Sequence, residues 1–485
     1  MLVKSDKNEI LSYLSDAANF RGNAEKVYVP EKIEEVSRIL QECFEAGTPV
    51  HISGMGTGLT GGRVPAGGVI VSTEKLNRII EINKTEKFAI VESGVILEDF
   101  HKELKDQNLY YPPDPTEQCS SIGGNISNNA SGAKTFKFGP TRDYVLALEV
   151  SLADGETVHL TRGEVFEKDG FIDFKSKNGR AYHIPVEPVN MPTTKNAAGY
   201  YMRKGMDAVD LFIGSEGTLG IILQAKLKLL PLPEDFLSML LFFEDENVAL
   251  KFVAELRDSS RNKKNEYIDA LAIEFFDWNS LEFLRDDFPN IPEGERTALW
   301  IEQDVSGAES DNILLAYTEL LEKYGVDTEE VWFATGDKER RELIRFRHAV
   351  SQKVSDFISR NNIRKVGTDL AVPDDKFFDF YHFCKNGSEH SGLKFIVYGH
   401  FGNSHIHLNM LPSNEDEYRI AKELYRELCA EAVKAGGTIS AEHGIGKIKR
   451  EYLKMMYSDR DLESMKKIKA ALDTKNNLSP GNIFL

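Results

Sequence analysis

Hydrophobic positions along the chain switch between two periods, and the switches mark its elements. Over residues 31–46, Ile33, Val36, Ile39, Leu40 and Cys43 fall on one face of a 3.6-residue repeat, and Gly47 ends the run. That pattern predicts a helix, followed by short strands at Val50 to Ser53 and Val69–Ser72. Leu146, Leu148, Val150 and Leu152 alternate with smaller or polar residues, the period of a half-buried strand. Asp154-Gly155 is a turn pair, so the chain is expected to fold back through Thr157–Leu160 as a hairpin. Residues 161–190 are polar and lack a clear period, which predicts an irregular insertion. Ala225, Leu227 and Leu229 alternate with lysines until Pro231 and Pro233 break the pattern, so a domain boundary is expected near residue 235.

Beyond that point the order reads β-α-β-β-α-β. Strands are expected at 237–244, 270–276, 298–304 and 330–334, and helices at 247–258 and 311–324, the order of a ferredoxin-like split βαβ unit. Helical patterns follow at 338–360 and 374–387. Strand-like pieces at Lys394–Tyr398 and His405–Leu411 flank a turn, and helices at 415–434 and 460–472 complete the chain.

Size and charge narrow the classes. A chain of 485 residues exceeds what one core organises, so two or three domains are expected. Its 77 acidic against 59 basic side chains leave a net charge of −18, which argues against a nucleic-acid partner. Cys43, Cys119, Cys384 and Cys429 are far apart and form no CxxC pair, so zinc-ribbon and iron–sulfur spacings are absent. Such cysteine usage fits a reducing compartment. The start, MLVKSDKNEILSYLSD, has no apolar core of a signal peptide and is too acidic for a transit peptide. No run approaches the ~18 apolar residues of a membrane span. A cytoplasmic protein is the expectation.

Gly56-Thr57-Gly58-Leu59-Thr60-Gly61 follows a strand and formally fits GxGxxG. A dinucleotide fingerprint of the Rossmann type needs a helix directly afterwards. Here Gly62-Arg63-Val64-Pro65-Ala66-Gly67-Gly68 leads into a strand, so the NAD reading fails. Consecutive glycines still let backbone N–H groups turn inward as an anion nest; a flexible loop is the plainer alternative. Two more segments of this kind follow, Ser121 to Gly132 and Ile213 to Ile221, with the rigid Tyr111-Pro112-Pro113-Asp114-Pro115 before them. Three glycine-rich loops beside strands point to backbone surrounding a large ligand.

In the order SGMGTGLTGG, PPDP, SIGGNISNNASG and GSEGTLGI, and closing on NLSPGN, these segments resemble the vanillyl-alcohol oxidase/p-cresol methylhydroxylase family of FAD enzymes. The likeness spans nearly the whole chain and is nearest to the D-2-hydroxy-acid dehydrogenase branch, which includes D-lactate, D-2-hydroxyglutarate and glycolate dehydrogenases. The resemblance implies an α+β fold: a two-subdomain FAD-binding domain of the p-cresol methylhydroxylase type over 1–235, then a cap or substrate domain with a ferredoxin-like core over 236–435. A C-terminal helical segment, 436–485, returns to the FAD domain. It implies FAD contacts from Ser53, Gly54, Met55, Gly56, Thr57, Gly58 and Leu59, from Pro113 and Asp114, from Gly123, Gly124, Asn128, Ser131 and Gly132, and from Glu216, Gly217, Gly220 and Ile221. Relatives that tether FAD covalently often carry a histidine in the first loop. Ser53-Gly54-Met55-Gly56-Thr57 has none, so non-covalent FAD is expected.

Three of the chain's 11 histidines lie in Gly399-His400-Phe401-Gly402-Asn403-Ser404-His405-Ile406-His407, and Glu442-His443 follows within SAEHGIG. Histidines with a glutamate can hold a divalent metal and leave positions open; histidines bonded to backbone carbonyls are the alternative. An unbroken strand would point His400 and His407 to opposite faces unless the Gly402–Ser404 turn intervenes. The resemblance implies metal ligands His400, His407 and Glu442, zinc foremost. The motif departs from the commoner GHxGDGNLH at Asn403-Ser404-His405, which makes His405 a competing ligand. Arg347 resembles the family's substrate-carboxylate arginine, although its charge-rich surroundings read equally as a solvated helix face. Lys365 and Tyr200 are further candidates for substrate contact, the alternative for Tyr200 being a core tyrosine. His443, beside a ligand, suits a general base.

The reading that follows is an FAD- and metal-dependent dehydrogenase of a small D-2-hydroxy acid, catalytic through His443 and Arg347. The chain carries no iron–sulfur ligands, so a separate electron acceptor is expected: an electron-transferring flavoprotein, a quinone system or an iron–sulfur subunit. A homodimer is also expected. The competing readings are a flavin-dependent transferase of the alkyl-glycerone-phosphate synthase type and a non-catalytic FAD-binding subunit.

Overall fold

The first apolar stripe folds as helix α1 (Ile33–Ala46), closed by Gly47 in the left-handed conformation. The computed structural model describes residues 1–294, 296–305, 310–334, 336–361 and 363–484. Val36, Ile39, Leu40 and Cys43 share a core with Val50, Val69 and Val71. Those valines belong to a four-stranded sheet of β1 (Leu2–Lys4), β2 (Lys26–Val29), β3 (Val50–Ser53) and β4 (Val69–Ser72), ordered β1-β2-β4-β3. β4 pairs in parallel with β2 and β3 and is buried throughout, hence its unbroken apolar run.

A five-stranded antiparallel sheet follows: β5 (Ile79–Asn83), β6 (Phe88–Glu92), β7 (Val145–Ser151), β8 (Thr157–Thr161) and β9 (Ile221–Lys228), ordered β5-β6-β9-β7-β8. The expected hairpin forms with Leu148 opposite Leu160. Helices α2 (Leu97–Lys105) and α3 (Ile122–Asn128) belong to this half, and α3 packs on β6 and β9. The second glycine-rich stretch is therefore not wholly a loop. Ser121 Oγ accepts from Gly124 N at 3.3 Å and caps α3, offsetting the poor helix propensity of Gly123 and Gly124.

Residues 161–190 also differ from expectation. Phe171–Lys175 and Ala181–Pro185 pair as an antiparallel hairpin with Ile172 and Ile184 buried. The alternation was masked by exposed Asp173, His183 and Lys175, and Asn178-Gly179 supplies the turn, with Gly179 at φ +85°.

The second half is built on one antiparallel sheet. β10 (Phe236–Phe243), helix α4 (Glu246–Asn262), β11 (Ala270–Phe276), β12 (Thr297–Asp304), helix α5 (Ser310–Lys323) and β13 (Trp332–Phe333) give the order β13-β10-β12-β11. That is the ferredoxin-like arrangement. Helix α6 (Asp337–Asn361) follows. The sheet then continues past β11 through β15 (Phe395–Gly399), β16 (His405–Met410) and β14 (Val366–Gly367). Helices α7 (Phe377–Ser391), α8 (Glu415–Lys434) and α9 (Asp459–Leu472) complete the chain. Its tail crosses back to the first half: Val50 N donates to Asn477 O at 2.8 Å, and Ser479 N to Val50 O at 2.7 Å. No described helix is long and apolar enough to cross a membrane.

Candidate active site

β3 delivers the chain at Ser53 into the first glycine-rich loop. Gly56 has φ +81°, and a Cβ there would lie 2.1 Å from the Arg63 guanidinium carbon, so a side chain would be strained and would displace Arg63. No helix follows Gly62; the next element is β4. The three segments picked out in the sequence meet around one cleft. Its walls are Gly54 to Gly58, then Gly123, Gly124 and Asn128 from α3, then Glu216, Gly217, Gly220 and Ile221. Three buried polar atoms on these walls, Ser93 Oγ, Ser120 Oγ and Asn125 Nδ2, have no hydrogen-bond partner among the described residues. Buried polar groups are rarely left orphaned, and a polar ligand in the cleft would satisfy these three. Glycine walls for close backbone approach and hydroxyl and amide donors suit FAD.

Sequence reasoning missed Asp16 and Arg63, both on this wall. Asp16 Oδ2 accepts from Gly61 N at 2.6 Å, and Arg63 joins the loop to the N-terminal segment through Ser12 O and Ser15 O. Nothing in their local sequence announces this. Glu216 lines the cleft, yet its two oxygens accept from Ile445 N at 2.7 Å and Gly446 N at 2.6 Å, and burial pushes its carboxyl up to about 7.

Six expected cofactor residues lie off this wall. Ser53 turns its hydroxyl to Gly54 O and Arg63, and Leu59 is half-buried outside the cleft lining. Pro113, Asp114, Ser131 and Gly132 lie farther along. Asp114 pairs with Lys134 at 3.3 Å in a neighbouring cavity, and Ser131 Oγ donates to Glu442 Oε2 at 3.0 Å.

The histidines do converge. A single helical turn at Phe401–Asn403 and Ser404 at φ +52° bring His400 round, and β16 starts at His405, so His405 and His407 share a face. His400 Nε2 and His407 Nε2 lie 3.2 and 3.1 Å from Glu442 Oε1. A tetrahedral site with bonds of about 2.0–2.1 Å has edges of about 3.3–3.4 Å. The outer ring nitrogens are engaged as metal-bound imidazoles require: His400 Nδ1 with Glu274 at 2.7 Å and His407 Nδ1 with Thr368 O at 3.3 Å. Burial works to raise the Glu442 carboxyl, but Lys195 and His400 outweigh it and hold it well below the usual range. The donor set fits a divalent metal.

Asp369 ties His405 to the Ser440–Lys449 segment. It accepts from His405 Nε2 at 2.9 Å, Ser440 Oγ at 2.7 Å, His443 N at 3.0 Å and Lys449 Nζ at 2.8 Å. The His443 ring stacks on His407, and its Nδ1 lies 3.4 Å from Asp369. Burial pushes His443 down to about 4 against the upward pull of Asp369, so its ring is neutral at pH 7.

Arg347 is not on a solvated face. It is buried, donating from Nε to Glu274 at 3.1 Å and from Nη1 to Thr116 Oγ1 at 3.0 Å. Glu274 therefore ties Arg347 to His400. Lys365 is half-buried and makes no ion pair among the described residues. Tyr200 is a correction: it is fully buried, bonded through its hydroxyl to Thr218 and set edge-on to Phe484, so it is a core residue, not a substrate contact.

Ser131, which follows α3, links the glycine-walled side of the molecule to the histidine–carboxylate cluster. Residues 232–483 match the C-terminal domain of FAD-linked oxidases and residues 24–161 an FAD-binding domain; the chain belongs to the FAD-linked oxidase family. It is 30% identical to the glycolate oxidase subunit GlcD of Bacillus subtilis, covering 98% of this chain and 92% of that protein. A D-lactate dehydrogenase of Archaeoglobus fulgidus is 29% identical over 94% of this chain and 90% of its own length. A D-2-hydroxyglutarate dehydrogenase of Stutzerimonas stutzeri is 28% identical over 99% and 96%. Among solved structures, an alkyldihydroxyacetonephosphate synthase shares the fold at TM-score 0.72 and 16% identity, covering 99% of this chain and 82% of that one. A 4-ethylphenol oxidase from Gulosibacter chungangensis does so at 0.69 and 19%, over 99% and 94%.

Proposed function

We propose that this protein oxidises a D-2-hydroxy acid of the lactate, 2-hydroxyglutarate or glycolate class to the 2-oxo acid. The observation that carries the reading is the meeting of both halves at Glu442: Ser131, just after the cleft helix α3, and His400 and His407 of the cap sheet all contact its carboxylate. The names of the relatives support the same substrate class. FAD, bound without a covalent link, supplies the hydride acceptor; the first glycine-rich loop, Ser53-Gly54-Met55-Gly56-Thr57, carries no histidine for a tether. His400, His407 and Glu442 would hold a divalent metal, zinc foremost, which lowers the pKa of a bound hydroxyl.

The chain's own groups do the rest. Arg347 keeps one terminal nitrogen, Nη2, without a partner among the described residues, a donor for the substrate carboxylate. Glu274 fixes that guanidinium relative to His400. His443 accepts the hydroxyl proton, and the ionised Asp369 beside Nδ1 favours the resulting imidazolium. Electrons leave through a separate acceptor, an electron-transferring flavoprotein, a quinone system or an iron–sulfur subunit. Chelation is expected to abolish bleaching of the flavin by a D-2-hydroxy acid, Zn²⁺ or Mn²⁺ to restore it, and His407→Ala to mimic the chelator. Unchanged bleaching in His407→Ala would reject the metal assignment. A flavin-dependent transferase would end turnover with no net reduced flavin.

A further inference from the structure

We propose that His405 is a third imidazole ligand, so that this chain's cation site is three histidines and one carboxylate, with the Lys195 ammonium as its placeholder when no metal is bound. The proposal rests on the metal-assisted reading above and deepens it.

The argument is one of tautomers. A neutral imidazole carries one N–H, and the acceptor it meets decides which nitrogen keeps the lone pair. His405 Nε2 faces the buried Asp369 carboxylate at 2.9 Å, so Nε2 is the donor and Nδ1 the lone pair. His400 Nδ1 faces Glu274 and His407 Nδ1 faces a carbonyl, so both keep Nε2 free. All three rings thus spend one N–H on an acceptor; the other nitrogen of His400 and of His407 faces Glu442, and that of His405 faces the Lys195 ammonium bound to Glu442. One ligand atom from each of His400, His405, His407 and Glu442 fits within a 4.8 Å span.

Lys195 supplies a second, independent observation. Its side chain is 4% exposed and comes from the other half of the chain. Its ammonium lies 2.6 Å from Glu442 Oε2 and 3.4 Å from His405 Nδ1. A buried cation that donates to the carboxylate and to the third lone pair marks where positive charge is stabilised, and includes His405 in that place. An imidazole-rich set favours zinc, cobalt or nickel over magnesium or manganese.

X-ray absorption on the zinc-loaded FAD holoenzyme counts imidazoles directly. Three are expected; two, with the balance oxygen, would overturn the proposal. Zinc affinity is then measured against a competing chelator dye, with FAD content as the check on folding. His405→Asn is expected to weaken zinc by at least the ~100-fold that loss of an outer-shell partner can cost. Parent-like zinc binding in His405→Asn alongside lost binding in His407→Ala would refute the third ligand and spare the metal reading. Parent-like binding in both would defeat the metal reading itself. Lys195→Met is expected to bind zinc more tightly; weaker binding would refute the placeholder role.

Discussion

Replacing Glu274 with glutamine is expected to loosen the metal site while leaving the flavin cleft filled. Glu274 stands in β11 among apolar neighbours, almost fully buried, and holds His400 Nδ1 at 2.7 Å and Arg347 Nε at 3.1 Å. Burial works to raise its carboxyl, but His400 and Arg347 outweigh it and keep the group ionised. Glutamine has one acceptor oxygen where glutamate has two. If that oxygen serves His400, the amide NH2 faces another donor at Arg347; if it serves Arg347, His400 loses its orientation. In both cases His400 Nδ1 loses its charged acceptor, a charge-assisted bond worth about 1.5–3 kcal/mol. Removing such an outer-shell partner costs about 10- to 100-fold in metal affinity, or ~1.4–2.7 kcal/mol, so the two scales agree. The assay is zinc titration against a chelator dye, with the flavin-to-protein absorbance ratio as control. Parent-like zinc affinity in a variant that retains FAD would refute the claim that Glu274 orients His400.

Three further outcomes are expected. A Cβ at Gly123 would lie 2.5 Å from Ser93 Cβ and 2.9 Å from Ser93 O, so Gly123→Ala should push α3 off β6 at an overpacking cost of about 1–3 kcal/mol and lower bound FAD; full flavin content would count against the cleft. The Glu216 carboxyl, raised by burial from 4.5 to about 7, contributes stability that is full below about pH 4.5 and lost as the pH climbs through about 7. Glu216→Gln does not titrate and should therefore gain on the parent by up to about 3 kcal/mol over that window; parallel melting temperatures at pH 5 and pH 8 would contradict this. Arg347→Lys loses the planar fork that spans Glu274 and Thr116, and the KM for the hydroxy acid should rise about 10- to 100-fold; an unchanged KM would remove Arg347 from carboxylate binding.

Regular elements were legible because their signals are local. The stripe of α1, the alternation of β7 and the β-α-β-β-α-β order of the cap each depend on neighbours within a few residues. The 171–185 hairpin was not, although Asn178-Gly179 and the inward Ile172 and Ile184 carried the signal, because polar outward residues dominated the stretch. α3 was hidden by its glycines, which its Ser121 cap offsets. Site residues named by motif, such as His400, His407 and Glu442, meet as expected. Of the groups that orient them, Glu274 and Asp369 arrive from distant segments outside the histidine motifs, and Lys195 opens the Lys195-Asn196-Ala197-Ala198-Gly199-Tyr200 segment, which resembles a family segment near the flavin. A lone acid inside the apolar run Ala270–Phe276 was nevertheless a readable sign of a buried, partnered charge. Lys195 gave no such sign: the candidate drawn from its segment was Tyr200, which lies in the core, while the lysine reaches Glu442.

Anaerobic addition of D- and L-2-hydroxy acids to the purified, metal-loaded flavoprotein, followed at the visible flavin band, tests the assigned activity most directly. A yellow protein bleached by a D-2-hydroxy acid, with its L enantiomer inert and the 2-oxo acid formed in proportion, is the expected result. A yellow protein that no D-2-hydroxy acid bleaches would contradict it.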